Sequence, residues 1–249
     1  MPKTGLYDIH CHIIPEVDDG ARSMEESMKM LEMEYSEGVR HILLTPHFRY
    51  EMFETPLETL RDQYAALKTA AAGRWPDLEL KLGCELHTSL DLPLCLDQGT
   101  RLSMNGTEYV LLEFSGRDPR SQIFERTRDL LNHGYIPVIA HIERYAVLRN
   151  DISHLRELKD MGAFLQVNAD TISGKDGFMA KRYARKLMKA ELIDFVGTDA
   201  HRMDTRTPGL LAAYETAARS IGPDYADWLF IYHPSVLFKT DNSEMRGKH

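Results

Sequence analysis

An α/β protein, and within that class a (β/α) barrel of seven units, is what this 249-residue sequence predicts. Strand-like apolar runs alternate with helical patterns along the chain, the signature of a parallel sheet with crossover helices. Seven such runs occur with no linker, repeat or low-complexity tract between them. Run after run also ends in a histidine or a carboxylate, and a barrel gathers its C-terminal strand ends on one rim, where active sites sit. An open doubly wound sheet is the second arrangement the alternation allows. No G-x-G-x-x-G or Walker loop follows any strand, which weighs against a nucleotide-binding version of it.

The first strand, 6–9, runs into His10-Cys11-His12. Residues two apart in an extended segment share a face, so the two imidazoles converge while Cys11 points away. Ser23-Met24-Glu25-Glu26 has the S-x-x-E form of a capping box. The helix it opens carries Met24, Met28, Leu31 and Tyr35 on one stripe and ends at Gly38. The second strand, 42–44, leads to Thr45-Pro46-His47. A helix over 56–72 presents Leu57, Leu60, Tyr64 and Leu67. Strand three, 78–82, ends at Gly83-Cys84-Glu85, and 87–106 reads as irregular because Pro93, Gly99 and Asn105-Gly106 are turn signals. Strand four, 109–112, ends in Glu113-Phe114. A helix over 119–133 stops at Gly134, and strand five, 136–140, ends at His141. A helical stretch over 148–161 precedes strand six, 164–167, which ends at Asn168. A basic-faced helix over 175–190 leads to strand seven, 193–196, and to Gly197-Thr198-Asp199-Ala200-His201. Helices over 210–221 and 225–231 finish the chain, and 240–249 is polar enough to be disordered.

Composition bounds the function. A hydrophobic fraction of 43% supports a sizeable core. No apolar run approaches the roughly 20 residues that span a bilayer, so membrane insertion is not expected. Met1-Pro2-Lys3-Thr4-Gly5 lacks a secretory apolar segment, which makes a cytoplasmic location the default. Three cysteines without a C-x-x-C pair speak against a disulfide framework and against structural zinc. A net charge of −8 speaks against a nucleic-acid-binding surface.

The strand ends collect His10, His12, His47, Glu85, Glu113, His141, Asn168, Asp199 and His201. Polar residues follow strands as ordinary turn formers, which would account for Asn168 and Asp199. It does not account for five histidines in such places, since histidine is a usual choice for neither turns nor cores. Imidazole and oxygen donors without thiolate suit Mn²⁺, Fe, Zn²⁺ or Mg²⁺.

In this order His10-x-His12, the lone His47, His141 within Ala-His-Ile-Glu-Arg-Tyr, and Asp199-x-His201 resemble the four motifs of the PHP superfamily of metallo-phosphoesterases. Val17-Asp18-Asp19-Gly20, Met52-Phe53-Glu54-Thr55-Pro56 and Ala140-His141-Ile142-Glu143-Arg144-Tyr145 are similar to one branch, the bacterial manganese-dependent protein-tyrosine phosphatases of capsule and exopolysaccharide operons. The resemblance runs from Tyr7 to about Phe238. It implies a distorted (β/α)7 barrel with the active site at the C-terminal ends of the strands. Residues 1–240 would form a single phosphatase domain, with 241–249 as a disordered tail.

The resemblance also implies three divalent ions, manganese by family habit. His10, His12, Glu85 and Asp199 would hold one, Glu113 and His141 a second with Glu85 bridging, and Asp19, His47 and His201 the third. Arg144 and Arg206 resemble the family's phosphate-contacting arginines, and guanidinium forks match phosphate oxygens in pairs. Three divalent ions outweigh the carboxylates of Asp19, Glu85, Glu113 and Asp199, which leaves positive charge for a phosphate dianion. Coordination lowers the pKa of water to about 7, so hydroxide becomes available as the nucleophile. The implied substrate is a phosphotyrosyl protein, the tail of a bacterial tyrosine kinase that controls polysaccharide export.

Rival readings are a PHP small-molecule phosphatase such as histidinol phosphatase, and a non-catalytic metal-binding regulatory domain. A 3′-exonuclease would need a basic channel with stacking aromatics, which net acidity disfavours. Cys95 to Arg101 spells C-x5-R, the loop of cysteine-dependent tyrosine phosphatases. Leu94, Asp97 and Leu102 stand where that loop needs an electropositive cradle, so it is read as a turn. His41, His133, His154, His233 and His249 read as surface or helix residues. His87 stands two residues past Glu85, with a hydrogen-bonding role beside the site as natural as ligation. Lys181, Arg182, Arg185 and Lys186 read as a solvated helix face, with attraction of an acidic segment as the second reading.

Overall fold

The computed structural model describes residues 5–239; the tail at 241–249 and His249, for which disorder and a surface position are expected, lie outside the described residues. In chain order the elements are β1 Leu6–Cys11, α1 Met24–Ser36, β2 Val39–Leu44, β3 His47–Phe48, α2 Leu57–Arg74, β4 Glu79–Leu82, β5 Glu85–His87 and α3 Leu92–Asp97. There follow β6 Tyr109–Glu113, α4 Arg120–Asn132, β7 Ile136–Ile139, α5 Ala146–Asn150, α6 Ser153–Asp160, β8 Phe164–Asn168, α7 Ala169–Ser173, α8 Phe178–Lys189, β9 Phe195–Gly197, α9 Leu210–Ser220 and α10 Pro223–Asp227. The strand order is β1-β2-β4 in one sheet and β3-β5-β6-β7-β8-β9 in the other. Every pairing between these strands is parallel. The Cys11↔Ala200 bridge, with His12 N donating to Ala200 O at 2.8 Å, brings the end of β1 beside the segment after β9. The result is an α/β fold with a curled parallel sheet, a half-barrel.

Two short strands not expected from the sequence, β3 and β5, follow the expected second and third strands, and they place site residues. Pro46 has no N–H to continue the ladder. Thr45 N stays with Cys11 O at 2.9 Å, while the chain beyond it peels away as β3. Gly83-Cys84 separates β4 from β5 in the same way, and Glu85 N donates to Pro46 O at 3.0 Å. β3 and β5 then pair with His47 opposite Glu85. A break at Asp151-Ile152 divides the helix expected over 148–161, where Asp151 Oδ1 accepts from Ser153 N at 2.9 Å and starts a new helix. The stretch 87–106, expected to be irregular, contains α3 and a short 3₁₀ turn at Met104–Gly106.

Local chemistry sets the helix ends. Ser23 Oγ accepts from Glu26 N at 3.2 Å, as the capping pattern predicts. The reciprocal half of the box differs: Glu26 accepts from Arg22 N and its guanidinium rather than reaching back to Ser23. Gly38 closes the segment after α1 with φ +94°, a conformation that favours glycine.

Inside the curl, Ile9, Leu43, Leu111, Val138 and Phe195 pack with Met104, Leu237 and Phe238. A larger apolar layer lies between the strands and the surrounding helices. Among the described residues no helix is long and apolar enough to cross a membrane.

One buried acid lies off this pattern. Glu34 on α1 is fully buried, and both of its carboxyl oxygens lack a hydrogen-bond partner. Burial first, then the negative charges of Asp8 and Glu37, push it well above the carboxylate range. The folded chain therefore holds a proton that the unfolded chain releases near the ordinary glutamate value, so stability falls as pH rises through and above that value. Glu34→Gln is expected to stabilise the protein by about 1–3 kcal/mol near neutral pH and to flatten this fall. Thermal melts at mildly acidic and mildly alkaline pH check it; a variant with an unchanged pH slope contradicts it.

Candidate metal centre

The N-terminal pair converges as alternation predicts, with Cys11 in the opposite layer, and a bulge just before it sets the face it takes. Between Asp8 and Cys11, β1 has one more residue than β2 has between Ile42 and Leu44. This bulge turns His10 into the site while Ile9 packs in the inner core. Asp8 holds the bulge from beneath, accepting from His10 N (3.2 Å), Thr198 N (2.9 Å) and Thr198 Oγ1 (2.5 Å). Gly197 ends β9 directly against β1, and a Cβ there would lie 2.4 Å from His10 Cβ. A Cβ on Gly20 would lie 2.1 Å from His12 O. Neither position has room for a side chain.

Three groupings of donor atoms result, each within 4.8 Å: His12, Asp19, His47 and His201; His10, His12, Glu85 and Asp199; and His47, Glu85 and Glu113. Glu85, fully buried, is the hub. Its Oε2 lies 3.1 Å from His10 Nε2, 3.3 Å from His12 Nε2 and 3.0 Å from His47 Nδ1. Its Oε1 lies 2.8 Å from His141 Nε2, which is 3.7 Å from Glu113 Oε1. The structure thus brings together all the strand-end histidines and carboxylates that the sequence singles out, together with Asp19. His47 replaces His141 in the grouping with Glu113, while His141 adjoins both carboxylates.

A second layer orients these rings. His10 Nδ1 faces Gln166 Oε1 at 3.2 Å, His12 Nδ1 faces Asp18 Oδ2 at 2.7 Å, His201 Nδ1 faces Asp199 O at 2.8 Å, and His141 Nδ1 faces Tyr145 Oη at 3.3 Å. The acceptors on His10, His12 and His201 hold a proton on Nδ1, so Nε2 is the atom each ring turns inward. His10 Nε2 and His12 Nε2 then oppose each other at 3.3 Å. Asp19 Oδ1, Glu85 Oε2, Asp199 Oδ1 and His201 Nε2 are buried without a hydrogen-bond partner. Acceptors buried together without partners call for cations among them, and a metal ion takes the inward Nε2 position that a proton would otherwise occupy. The donor set fits divalent ions.

The metal-free electrostatics carry the same mark. Burial and the charge of Glu85 push Glu113 up to about 7. Burial together with His12 pushes His201 down to about 4. Burial would also raise Glu85, yet the imidazoles of His10, His47 and His12 hold it well below the carboxylate range. His141, Asp199 and Arg206 adopt left-handed φ of +31°, +52° and +50°, backbone strain collected at one place.

Arg144 and Arg206 stand at the edge of this cluster. Arg144 Nη2 donates to Asp199 Oδ2 at 2.5 Å, and Arg206 Nη1 to the same oxygen at 3.2 Å. Asn168 Nδ2 donates to it as well, at 2.9 Å. His87 is not in the cluster; its Nε2 pairs with Ser115 Oγ at 3.1 Å. Cys95 lies on α3 beside the Asp91 carboxylate at 3.6 Å, and Arg101 covers the Phe48 ring, so the C-x5-R run forms no anion cradle.

Sequence reasoning missed Asp18 and Gln166. Asp18 Oδ2 also accepts from His47 N at 2.9 Å, so it braces two histidines. Its only signal is a place beside Asp19. Gln166 Oε1 also accepts from His141 N at 2.7 Å. A buried glutamine inside an apolar strand was the available signal, since such an amide must find partners.

Fold and site together define a class: an α/β protein with a curled parallel sheet and a candidate metal centre. Solved structures that share the fold include a histidinol phosphate phosphatase from Lactococcus lactis, with a TM-score of 0.56 and 15% identity over 90% of this chain and 94% of that one. The family model for capsular polysaccharide synthesis proteins CpsB/CapC matches residues 6–239, and the chain belongs to that family. The tyrosine-protein phosphatase CpsB of Streptococcus pneumoniae is 37% identical over 238 residues, 93% of this chain and 98% of its own length. The tyrosine-protein phosphatase YwqE of Bacillus subtilis is 34% identical over 204 residues, 81% of this chain and 79% of its own. A crystal structure from work on YwqE and CpsB, described as unique metal-dependent tyrosine phosphatases, matches with a TM-score of 0.83 and 32% identity over 89% of this chain and 90% of that one.

Proposed function

We propose that this protein is a metal-dependent phosphomonoesterase that hydrolyses phosphotyrosine on protein substrates in capsule or exopolysaccharide synthesis. The observation that carries the reading is the inward convergence of His10 Nε2, His12 Nε2, Glu85 Oε2, Asp199 Oδ1, Asp19 Oδ1 and His201 Nε2 in one buried cluster. Membership in a family whose relatives are named tyrosine-protein phosphatases favours this chemistry over a small-molecule phosphatase or a non-catalytic metal domain.

The site is read as three divalent ions, manganese first. His10, His12, Glu85 and Asp199 would hold one, Glu85, Glu113 and His141 another, and Asp19, His47 and His201 the third. When bound, such ions supply positive charge for a phosphate and lower the pKa of water, so that a nucleophile exists near neutral pH. The protein's own part is orientation. Gln166, Asp18 and the Asp199 carbonyl fix the rings, and Arg144 and Arg206 present guanidinium forks to the phosphoryl oxygens from the Asp199 side. Phenolate is a good leaving group, so no dedicated acid is assigned. The wider reading is one domain of seven β/α units, with β2–β3 and β4–β5 as interrupted single strands. It places the site at the C-terminal ends of the strands, the enzyme in the cytoplasm, and the substrate on the tail of a bacterial tyrosine kinase.

The test compares a phosphotyrosyl peptide, a phosphoseryl peptide and histidinol phosphate before and after chelation. Phosphotyrosyl hydrolysis is expected to be fastest, to vanish on exhaustive chelation and to return with Mn²⁺. Full activity in a metal-stripped sample, or preference for histidinol phosphate, overturns the reading.

Asp18→Asn keeps the shape but swaps one acceptor for a donor at His12 Nδ1 or the His47 amide. Metal affinity is expected to fall about 10–100-fold, the range for groups that orient ligands. Metal titration followed by calorimetry checks it. Unchanged affinity would make Asp18 a brace for the turn alone.

A further inference from the structure

Away from the metal centre, α7, α8 and α9 enclose a cavity of about 380 Å³. Its wall includes Ile172, Phe178 and Met188, and its cations are Lys181, Arg182 and Arg185. Ile172 and Met188 are buried, whereas Phe178 is 77% exposed. Among the described residues neither Arg182 nor Arg185 makes an ion pair, and both are exposed. From Lys181 to Lys189 the helix carries five cations and no acid, in a chain whose net charge is −8. A positive pocket on a negative molecule selects anions.

Resting on the phosphatase reading, we propose that this cavity is a second docking site, for a phosphotyrosyl side chain of the same substrate protein, held there without being hydrolysed. The wall decides the class of ligand. A bare carboxylate or phosphate has no use for the exposed Phe178 ring. A flat apolar ring that ends in a dianion uses both that ring and the guanidinium groups. An anionic membrane is the weaker candidate, because the only large apolar side chains α8 exposes are Phe178 and Met179 at its start, while Ala184, Leu187 and Met188 are buried, which leaves no continuous apolar stripe for lipid.

Position favours the same substrate chain. Asn168, which touches Asp199, begins the turn that leads through α7 to Ile172, a rise of about 6 Å over four residues. On the other flank, Lys175 Nζ lies 3.1 Å from Thr207 Oγ1, the residue after Arg206. Lys175 thus stands between the cavity's helix and the Arg206 loop. An extended peptide advances about 3.3 Å per residue, so a second phosphotyrosine three or four positions from the reacting one lies about 10–13 Å along the chain, and that is the spacing to test.

The experiment uses the manganese-loaded full chain and peptides with one phosphotyrosine, or with two spaced by three or four residues. The doubly modified peptide is expected to show the lower KM, by about tenfold, the scale of a charge-assisted contact. Arg182→Gln with Arg185→Gln is expected to erase that difference, and Phe178→Ala to reduce it. Hydrolysis of p-nitrophenyl phosphate should not change, which also shows the variants are folded.

A parallel arm measures binding of a non-hydrolysable phosphonate analogue of the doubly modified peptide by fluorescence anisotropy. If the wild type hydrolyses neither peptide, the phosphatase reading falls, yet weaker analogue binding by the double variant would still support the cavity. Equal KM values for the two peptides, or a difference that survives the double substitution, overturn the proposal. So does a glutamate that substitutes fully for the second phosphotyrosine, because the cavity then reads charge alone. Loss of binding to anionic vesicles with peptide KM unchanged assigns the cavity to a membrane surface instead and overturns it equally.

Discussion

Glu85→Gln is expected to lower phosphotyrosyl hydrolysis by at least about a thousandfold, the upper range for removal of one electrostatic element from an active site. Glu85 is the carboxylate around which four of the five histidines of the centre gather. It lies within 3.3 Å of His10, His12, His47 and His141. Glutamine fills the same volume but carries no charge, and its NH₂ presents a donor where the carboxylate offered only acceptors. In the metal-free chain the carboxylate also balances the imidazoles around it, and removing one member of a buried charged cluster costs about 3–5 kcal/mol. Three measurements follow: turnover of a phosphotyrosyl peptide, bound metal per chain, and the melting temperature with and without Mn²⁺. Activity, metal content and the stabilisation by Mn²⁺ should all fall together. A variant that keeps its full metal content and its rate would remove Glu85 from the centre.

The histidines of this centre were legible for a simple reason. Parallel strands point their C-terminal ends the same way, so a residue that follows an apolar run acquires a predictable place. His47, His141, Asp199 and His201 needed nothing more. What the linear pattern could not carry was anything decided between strands. Alternation aims His10 and His12 together, but the face they take is set by a bulge, visible only when β1 is laid beside β2. Pro46 was visible as a residue without an N–H. That the chain would peel there and pair His47 with Glu85 depended on β5, nearly forty residues away in sequence. Asp18 and Asp19 are adjacent and chemically identical, and only the surrounding backbone sends one toward His201 and the other under His12. The capping box shows the same limit on a local scale. Ser23 caps as expected, but Glu26 is drawn off by Arg22, which contacts both it and Asp204 from the far end of the chain.

Arg144→Ala is expected to reduce kcat/KM for a phosphotyrosyl peptide by about 10²–10³-fold while leaving metal content unchanged. The guanidinium is half-exposed and donates to Asp199 Oδ2 at 2.5 Å, so it meets both the centre and the open side from which substrate arrives. Three donors converge on that single oxygen, from Arg144, Arg206 and Asn168. One of them can leave it for a phosphoryl oxygen without stranding the carboxylate. Arg144→Lys keeps the charge but loses the planar fork, and should recover only a small part of the rate. Arg206→Ala should act in the same direction, because its Nη1 makes the longer contact to the same oxygen and its Nη2 lies 3.8 Å from Asp19. If the arginines serve only to neutralise Asp199, lysine would restore activity fully and the alanine variant would lose metal. If they hold the phosphate of the transition state, metal content stays, kcat falls and lysine fails.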